Sequence, residues 1–140
     1  MEHNRLHLIR LFGSAVLGVQ GLFCLIWWLK MFTDPAMRAH FVWAGVPEMA
    51  FFAFTGPDIL LYAGGSFASA CALSGSKPWA MLAVGITTGA ILYAECLAIG
   101  LSVLTDSAWA GAVLMAPSAI FTAFMVAATY RMEAAHVLVR

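Results

Sequence analysis

The chain has 140 residues, 63% of them hydrophobic and 10% charged, with a mean hydropathy of +0.91, which excludes an ordinary water-soluble domain and points to a membrane protein. Seven basic and seven acidic residues cancel to a formal net charge of zero, so no basic patch invites nucleic acid and no charge run marks a disordered tail. A bilayer core of about 30 Å takes roughly 20 apolar residues as helix, which gives room for about four spans in one compact bundle.

In chain order, the first apolar run, residues 6–29, follows Arg5 and carries Arg10. It is too long for a signal peptide and lacks a small-x-small cleavage site, so it is expected to stay as the first span. Trp27, Trp28 and Lys30 at its end read as an interfacial aromatic belt with a snorkelling base. Residues 31–57, "MFTDPAMRAHFVWAGVPEMAFFAFTGP", mix aromatics, charges and prolines and cannot form a clean span. An interfacial segment across the mouth of the bundle is expected there, with a short helix from Pro35 after an Asp34 cap. Phe41, Trp43, Phe51, Phe52 and Phe54 are then placed at the boundary of headgroups and acyl chains.

The second span is read over residues 58–74, the third over 79–104 and the fourth over 108–130, joined by "SGSKPW" and "TDSAW". Pro57 and Pro78 stand at helix starts, where a missing N–H is harmless, and Pro117 alone is interior, which predicts a kink in the fourth helix. The fold class is therefore an all-α membrane protein, a four-transmembrane-helix bundle in a single domain. Four spans put both termini on one side, where Arg5, Arg10, Lys77, Arg131 and Arg140 outnumber Lys30 and Arg38 opposite. The positive-inside rule makes the termini cytoplasmic. A bacterial cytoplasmic membrane is the expected setting.

Small residues recur as Ser14-x-x-x-Gly18, Gly64-x-x-x-Ala68, Gly65-x-x-x-Ser69 and Gly85-x-x-x-Gly89, stripes that let helix backbones approach within the bundle or between copies. Cys24, Cys71 and Cys96 show no metal or redox spacing, and the methionines form no M-x-x-M run, so no metal site is expected. His40 beside Arg38 reads as an exposed interfacial residue.

Glu95, in "LYAECLAIG", is the exception to this apolar pattern. Nine residues in from Leu104, it lies about 13 to 14 Å deep at ~1.5 Å per residue, near the bilayer midplane. Exposure to lipid there would cost about 2.5 to 3.5 kcal/mol, so it should face the bundle. Thr88 and Ser102, seven residues to either side, share its face. The same count of nine lands on Gln20 from Leu29, on Ser118 from Trp109, and from Asp58 on Phe67, with Ser66 and Ser69 beside it. A polar layer of Glu95, Gln20, Ser118, Ser66 and Ser69 at one depth is the expectation, with Tyr93 adjacent. It either locks helix register through interhelical hydrogen bonds or binds a ligand, a neutral acid donating to a quinone carbonyl or lipid head. Asp58 and Tyr62, one turn apart, are read as an N-terminal helix charge or as the entrance to a cavity under the aromatic loop.

Three pieces, "FVWAGVP" at Phe41 to Pro47, "LLYAGGSFASACALSG" at Leu60 to Gly75 and "KPWA" at Lys77 to Ala80, together resemble the DoxX-like family of small four-helix membrane proteins. The resemblance covers roughly the first two thirds of the chain. It implies the four-helix fold and an association with membrane redox complexes and quinone chemistry. The segment "MRAHFVWAG" fails a second comparison, with microsomal glutathione-transferase-like proteins, because Val42 and Gly45 stand where that signature has asparagine and glutamate. No nucleophile and base pair, phosphate loop or haem ligand pair emerges. The expected function is that of a subunit or accessory of a larger membrane assembly, with lipid and other membrane subunits as partners. The alternatives are a self-associating carrier or proton-linked channel using Glu95, and a small membrane enzyme on a lipophilic substrate.

Overall fold

The computed structural model describes the backbone of residues 2–138 and the side chains of residues 7–132 and 134. Every regular element among them is helical: α1 (Glu2–Thr33), α2 (Pro35–Arg38), α3 (Glu48–Phe52), α4 (Thr55–Pro57), a π-helical stretch (Asp58–Gly64), α5 (Gly65–Ser74), α6 (Ala80–Thr105) and α7 (Trp109–Leu138). Three helices carry stretches long and apolar enough to cross a membrane: His7–Thr33, Ala80–Thr105 and Trp109–Met132. α4, the π-helical stretch and α5 follow one another without a break and form a fourth, shorter helical rod.

Several boundaries differ from the sequence reading, each for a local reason. α1 runs on to Thr33, one turn beyond the expected end, because nothing in "KMFT" stops it before Asp34. Asp34 is extended (φ −125°, ψ 90°), as a residue before proline prefers, and its carboxylate accepts the Met37 N–H at 2.9 Å, the expected cap of α2. The second rod starts at Thr55 rather than at Asp58, and its first turn contains Pro57. Pro57 has no N–H for the carbonyl of Ala53, and the wider π-helical turn follows at once. Pro78 belongs to the turn before α6 and not to the helix, while Pro117 lies inside α7, which runs through it as one element.

The first two rods are antiparallel, and their hydrogen bonds fix the register. Trp28 pairs with Asp58 at 3.0 Å and Gln20 with Ser66 at 3.1 Å, so eight residues back along α1 match eight residues on along its neighbour. Further down, the Ser14 hydroxyl donates to the carbonyl of Ala70 at 2.8 Å and Arg10 donates to Ser76 at 2.9 Å. Of the small-residue stripes, Gly65 and Ser69 are used within the chain. A Cβ at Gly65 would stand 2.6 Å from Thr87 Oγ1, and Ser69 bonds the same hydroxyl at 3.0 Å, which brings α5 and α6 into close contact. Thr88 Oγ1 donates to the carbonyl of Thr122 at 3.1 Å and ties α6 to α7. α7 returns to α1 where Met125 lies across Gly13. Gly18, Gly85 and Gly89 have open space on their outer faces.

The loop between the first two rods packs inward, contrary to the expectation of an aromatic fringe in the headgroups. Phe41, Trp43 and Phe51 are buried and Phe52 and Phe54 half-buried, and the first three share one core with Trp28, Tyr62, Ile91, Ala98 and Ala112. Small residues at the facing ends of α6 and α7 leave room for these rings. Each buried indole N–H also finds an acceptor, Trp43 on Ser102 Oγ at 3.2 Å and Trp28 on Asp58. The loop is held at its base as well: the Ala44 N–H donates to Ser107 Oγ at 2.8 Å, and Arg38 bridges Glu48 while donating to the carbonyl of Met31.

Candidate functional site

The polar residues inside the bundle form three levels rather than one. The outermost is Asp58 at the start of the π-helical stretch. Its Oδ2 accepts the Trp28 indole N–H, and its backbone carbonyl lies 3.7 Å from Cys24 Sγ. The middle level is Tyr62, Ser118 and Glu95. Tyr62 is buried one turn below Asp58, with its hydroxyl toward Ser118 and with Cys24, Asp58 and Glu95 all close enough to act on it electrostatically. The innermost level is Gln20 with Ser66, Ser69 with Thr87, and Thr88 with the Thr122 carbonyl.

Glu95 is 7% exposed, and among the described residues its Oε2 has no hydrogen-bond partner. Thr88, Glu95 and Ser102 are all buried, as one inward face of α6 requires. The other members of that face are satisfied, Thr88 by the Thr122 carbonyl and Ser102 by the Trp43 indole. No ion pair among the described residues reaches Glu95 or Asp58. An unpartnered buried acid is expensive in a low-dielectric interior, which makes its neutral form a ready donor to any acceptor brought beside it.

The single layer expected from the sequence therefore separates by about one turn. Gln20 and Ser66 do meet, and Ser118 and Glu95 both neighbour Tyr62, but the two groups lie at different depths. The cause is the end of α1: nine residues in from its true end at Thr33 is Cys24, not Gln20. Tyr93 is 71% exposed and points away from the bundle, so the structure does not bring it to Glu95. Phe67 is exposed too, and the serines flanking it turn inward instead.

The sequence reading passed over Thr87, Thr122 and the Trp28–Asp58 bond. Trp28 and Asp58 could have been matched as residues at the same ends of neighbouring antiparallel rods, had α1 been given its full length.

Two cavities flank Asp58. The inner one, about 50 Å³, lies between α1, the π-helical stretch and α7, with Phe23, Cys24, Tyr62, Leu114 and Met115 on its walls. The outer one, about 60 Å³, lies under the aromatic loop and reaches Ala94, Leu97 and Ala98 of α6. Asp58, Trp27, Gly111 and Met115 line both. By the rule that about 10 to 15 Å³ of such space admits one water, each takes a few waters or a small chemical group of similar bulk. Comparison with protein-family models, with curated proteins and with solved structures finds no match.

Proposed function

We propose that this chain is a four-span, DoxX-like integral protein of a bacterial cytoplasmic membrane with both termini cytoplasmic. It serves as a subunit or accessory of a larger, redox-linked membrane assembly and binds a quinone or lipid at the polar layer around Glu95. The second rod supports the fourth span: residues 55–74 are helical throughout, and 20 residues of helix reach about 30 Å, the thickness of the hydrocarbon core.

The observation that carries the ligand reading is the unpartnered Oε2 of buried Glu95, which acts electrostatically on Tyr62, a residue of the inner cavity's wall, while Glu95 itself lines neither cavity. A purely structural acid would be expected to use its hydrogen bonds within the bundle, as Gln20, Thr88 and Ser102 do. A neutral Glu95 and the Tyr62 hydroxyl together offer two donors to a lipophilic molecule with an oxygen acceptor, such as a quinone carbonyl or a lipid ester. Intramembrane carboxylates with no structural partner are functional candidates by default.

A homo-oligomeric carrier is the second reading, favoured by the open outer faces of Gly85 and Gly89 on α6, where another helix can approach closely. Native mass spectrometry after extraction in mild detergent separates the two. The first reading expects other chains and a quinone or lipid in the particle; multiples of this chain alone would support the second.

A further inference from the structure

The outer cavity has walls of an unusual kind. Trp27, Trp28, Phe41, Trp43, Phe51 and Phe54 make up half of its lining, aliphatic residues of α6 and α7 most of the rest, and Asp58 is the one charged residue on it among the described residues. The rings are packed against one another and not loosely placed: Trp27 meets Phe41 edge-on at 4.4 Å between centroids, Trp28 lies 5.4 Å from Phe51, and Trp43 lies 6.0 Å from Phe54. The indole of Trp28 orients the carboxylate through Oδ2. The loop's arginine, Arg38, is engaged by Glu48, by the Met31 carbonyl and by the ring of Phe52, and it does not line the cavity.

A cavity walled by aromatic rings with, among the described residues, one carboxylate and no base matches a particular ligand chemistry. Ring faces carry the negative end of the aromatic quadrupole and attract a cation most strongly when it is desolvated. An alkylated ammonium is the cation that loses least on leaving water for such a cage, because its charge is spread under methyl or ethyl groups that the rings can pack against. A half-buried carboxylate without a basic partner gains a counter-ion from the same ligand. A neutral head of the same shape gains only the packing against the rings, and an anion is repelled by Asp58.

We propose that the outer cavity binds a quaternary ammonium group, seated between the aromatic loop and Asp58. The space suits a head of that size: about 60 Å³ has room for the centres of about four waters. The group can come from a free ammonium solute or from a choline-type lipid headgroup. Glu95 is absent from the lining, so this site does not depend on the interior ligand.

The test uses the full chain in maltoside micelles and follows its tryptophan fluorescence. Tetramethylammonium and choline are titrated against 3,3-dimethylbutan-1-ol, a neutral isostere of choline. Saturable binding of the ammonium ions, at least about tenfold tighter than the alcohol, is expected. Asp58→Asn should weaken it about tenfold, and Phe54→Leu at the half-buried rim should weaken it several-fold while leaving the helical circular dichroism unchanged. Glu95→Gln should leave it as it is. Transfer to nanodiscs of phosphatidylcholine or of phosphatidylglycerol identifies the source: competition from phosphatidylcholine alone assigns a lipid headgroup, and undiminished binding in both assigns a solute. Equal affinity for the alcohol would overturn the proposal, as would binding that survives both Asp58→Asn and Phe54→Leu. Should Asp58→Asn not fold, Phe54→Leu and Trp27→Leu decide the matter by the same readout.

Discussion

The Trp28 indole donates its N–H to Asp58 Oδ2 across 3.0 Å and so joins the far end of α1 to the start of the π-helical stretch. This bond sets the register of the first two rods and orients the one carboxylate that lines both cavities. Trp28→Phe keeps most of the ring packing against Phe51 and removes only the donor. A lost hydrogen bond to a charged group costs about 1.5 to 3 kcal/mol, and Asp58 is half-buried, so the variant should unfold at lower temperature in detergent. A thermal melt unchanged from the parent would show that the bond contributes nothing.

Gly65 and Gly85 provide a matched pair. A methyl at Gly65 would press on Thr87 Oγ1, which is already bonded to Ser69, whereas a methyl at Gly85 meets nothing within 4 Å. Gly65→Ala should therefore destabilise the bundle by about 1 to 3 kcal/mol. Gly85→Ala should be neutral or slightly stabilising as a monomer, since alanine is the better helix former. Equal melting temperatures for the two variants would contradict the close α5–α6 contact.

In the loop, Arg38 and Glu48 pair but are not equivalent. Glu48 is half-exposed and has Arg38 as its partner, while Arg38 also donates to the Met31 carbonyl and stands 5.3 Å over the Phe52 ring. Glu48→Ala should cost about 0 to 1 kcal/mol. Arg38→Ala should cost more, by about 1 kcal/mol or more, because the hydrogen bond and the ring contact go with it. The comparison is read by limited proteolysis of the loop as well as by thermal melts.

Asp106 ends α6 in the left-handed conformation, φ 46° and ψ 41°, with its N–H on the Ser102 carbonyl. Glycine adopts that conformation without the Cβ penalty. Asp106→Gly should raise stability by about 0.5 to 1 kcal/mol, measured by chemical denaturation in mixed micelles. A loss of stability would mean that the aspartate side chain supports the turn in some other way.

The sequence made some of this molecule plain and hid the rest for identifiable reasons. Long apolar runs bounded by "SGSKPW" and "TDSAW" placed α6 and α7 to within a residue at their starts, and the seven-residue spacing of Thr88, Glu95 and Ser102 identified the inward face of α6. The end of α1 was misplaced because Trp27, Trp28 and Lys30 have the composition of a membrane interface, yet the helix stops only where Asp34 precedes proline. That one-turn error shifted the depth count and merged two polar levels into one. The aromatic loop was misread because composition cannot tell a ring facing lipid from one facing the core. What turns Phe41, Trp43 and Phe51 inward is the room above Ala98 and Ala112 and the hydroxyl of Ser102, a tertiary fact.

In the proposed function, the carboxyl of Glu95 holds a lipophilic ligand rather than the bundle. Its most direct test is a side-by-side comparison of wild type and Glu95→Leu, with extracted small molecules identified by mass spectrometry and stability followed by thermal melting. A quinone or lipid should be bound to the wild type and lost from the variant. Stability of the ligand-free variant should be unchanged or higher by about 1 to 3 kcal/mol, because an unsatisfied buried group has been removed. The same bound molecule in both proteins, or a variant that melts well below ligand-free wild type, would contradict it.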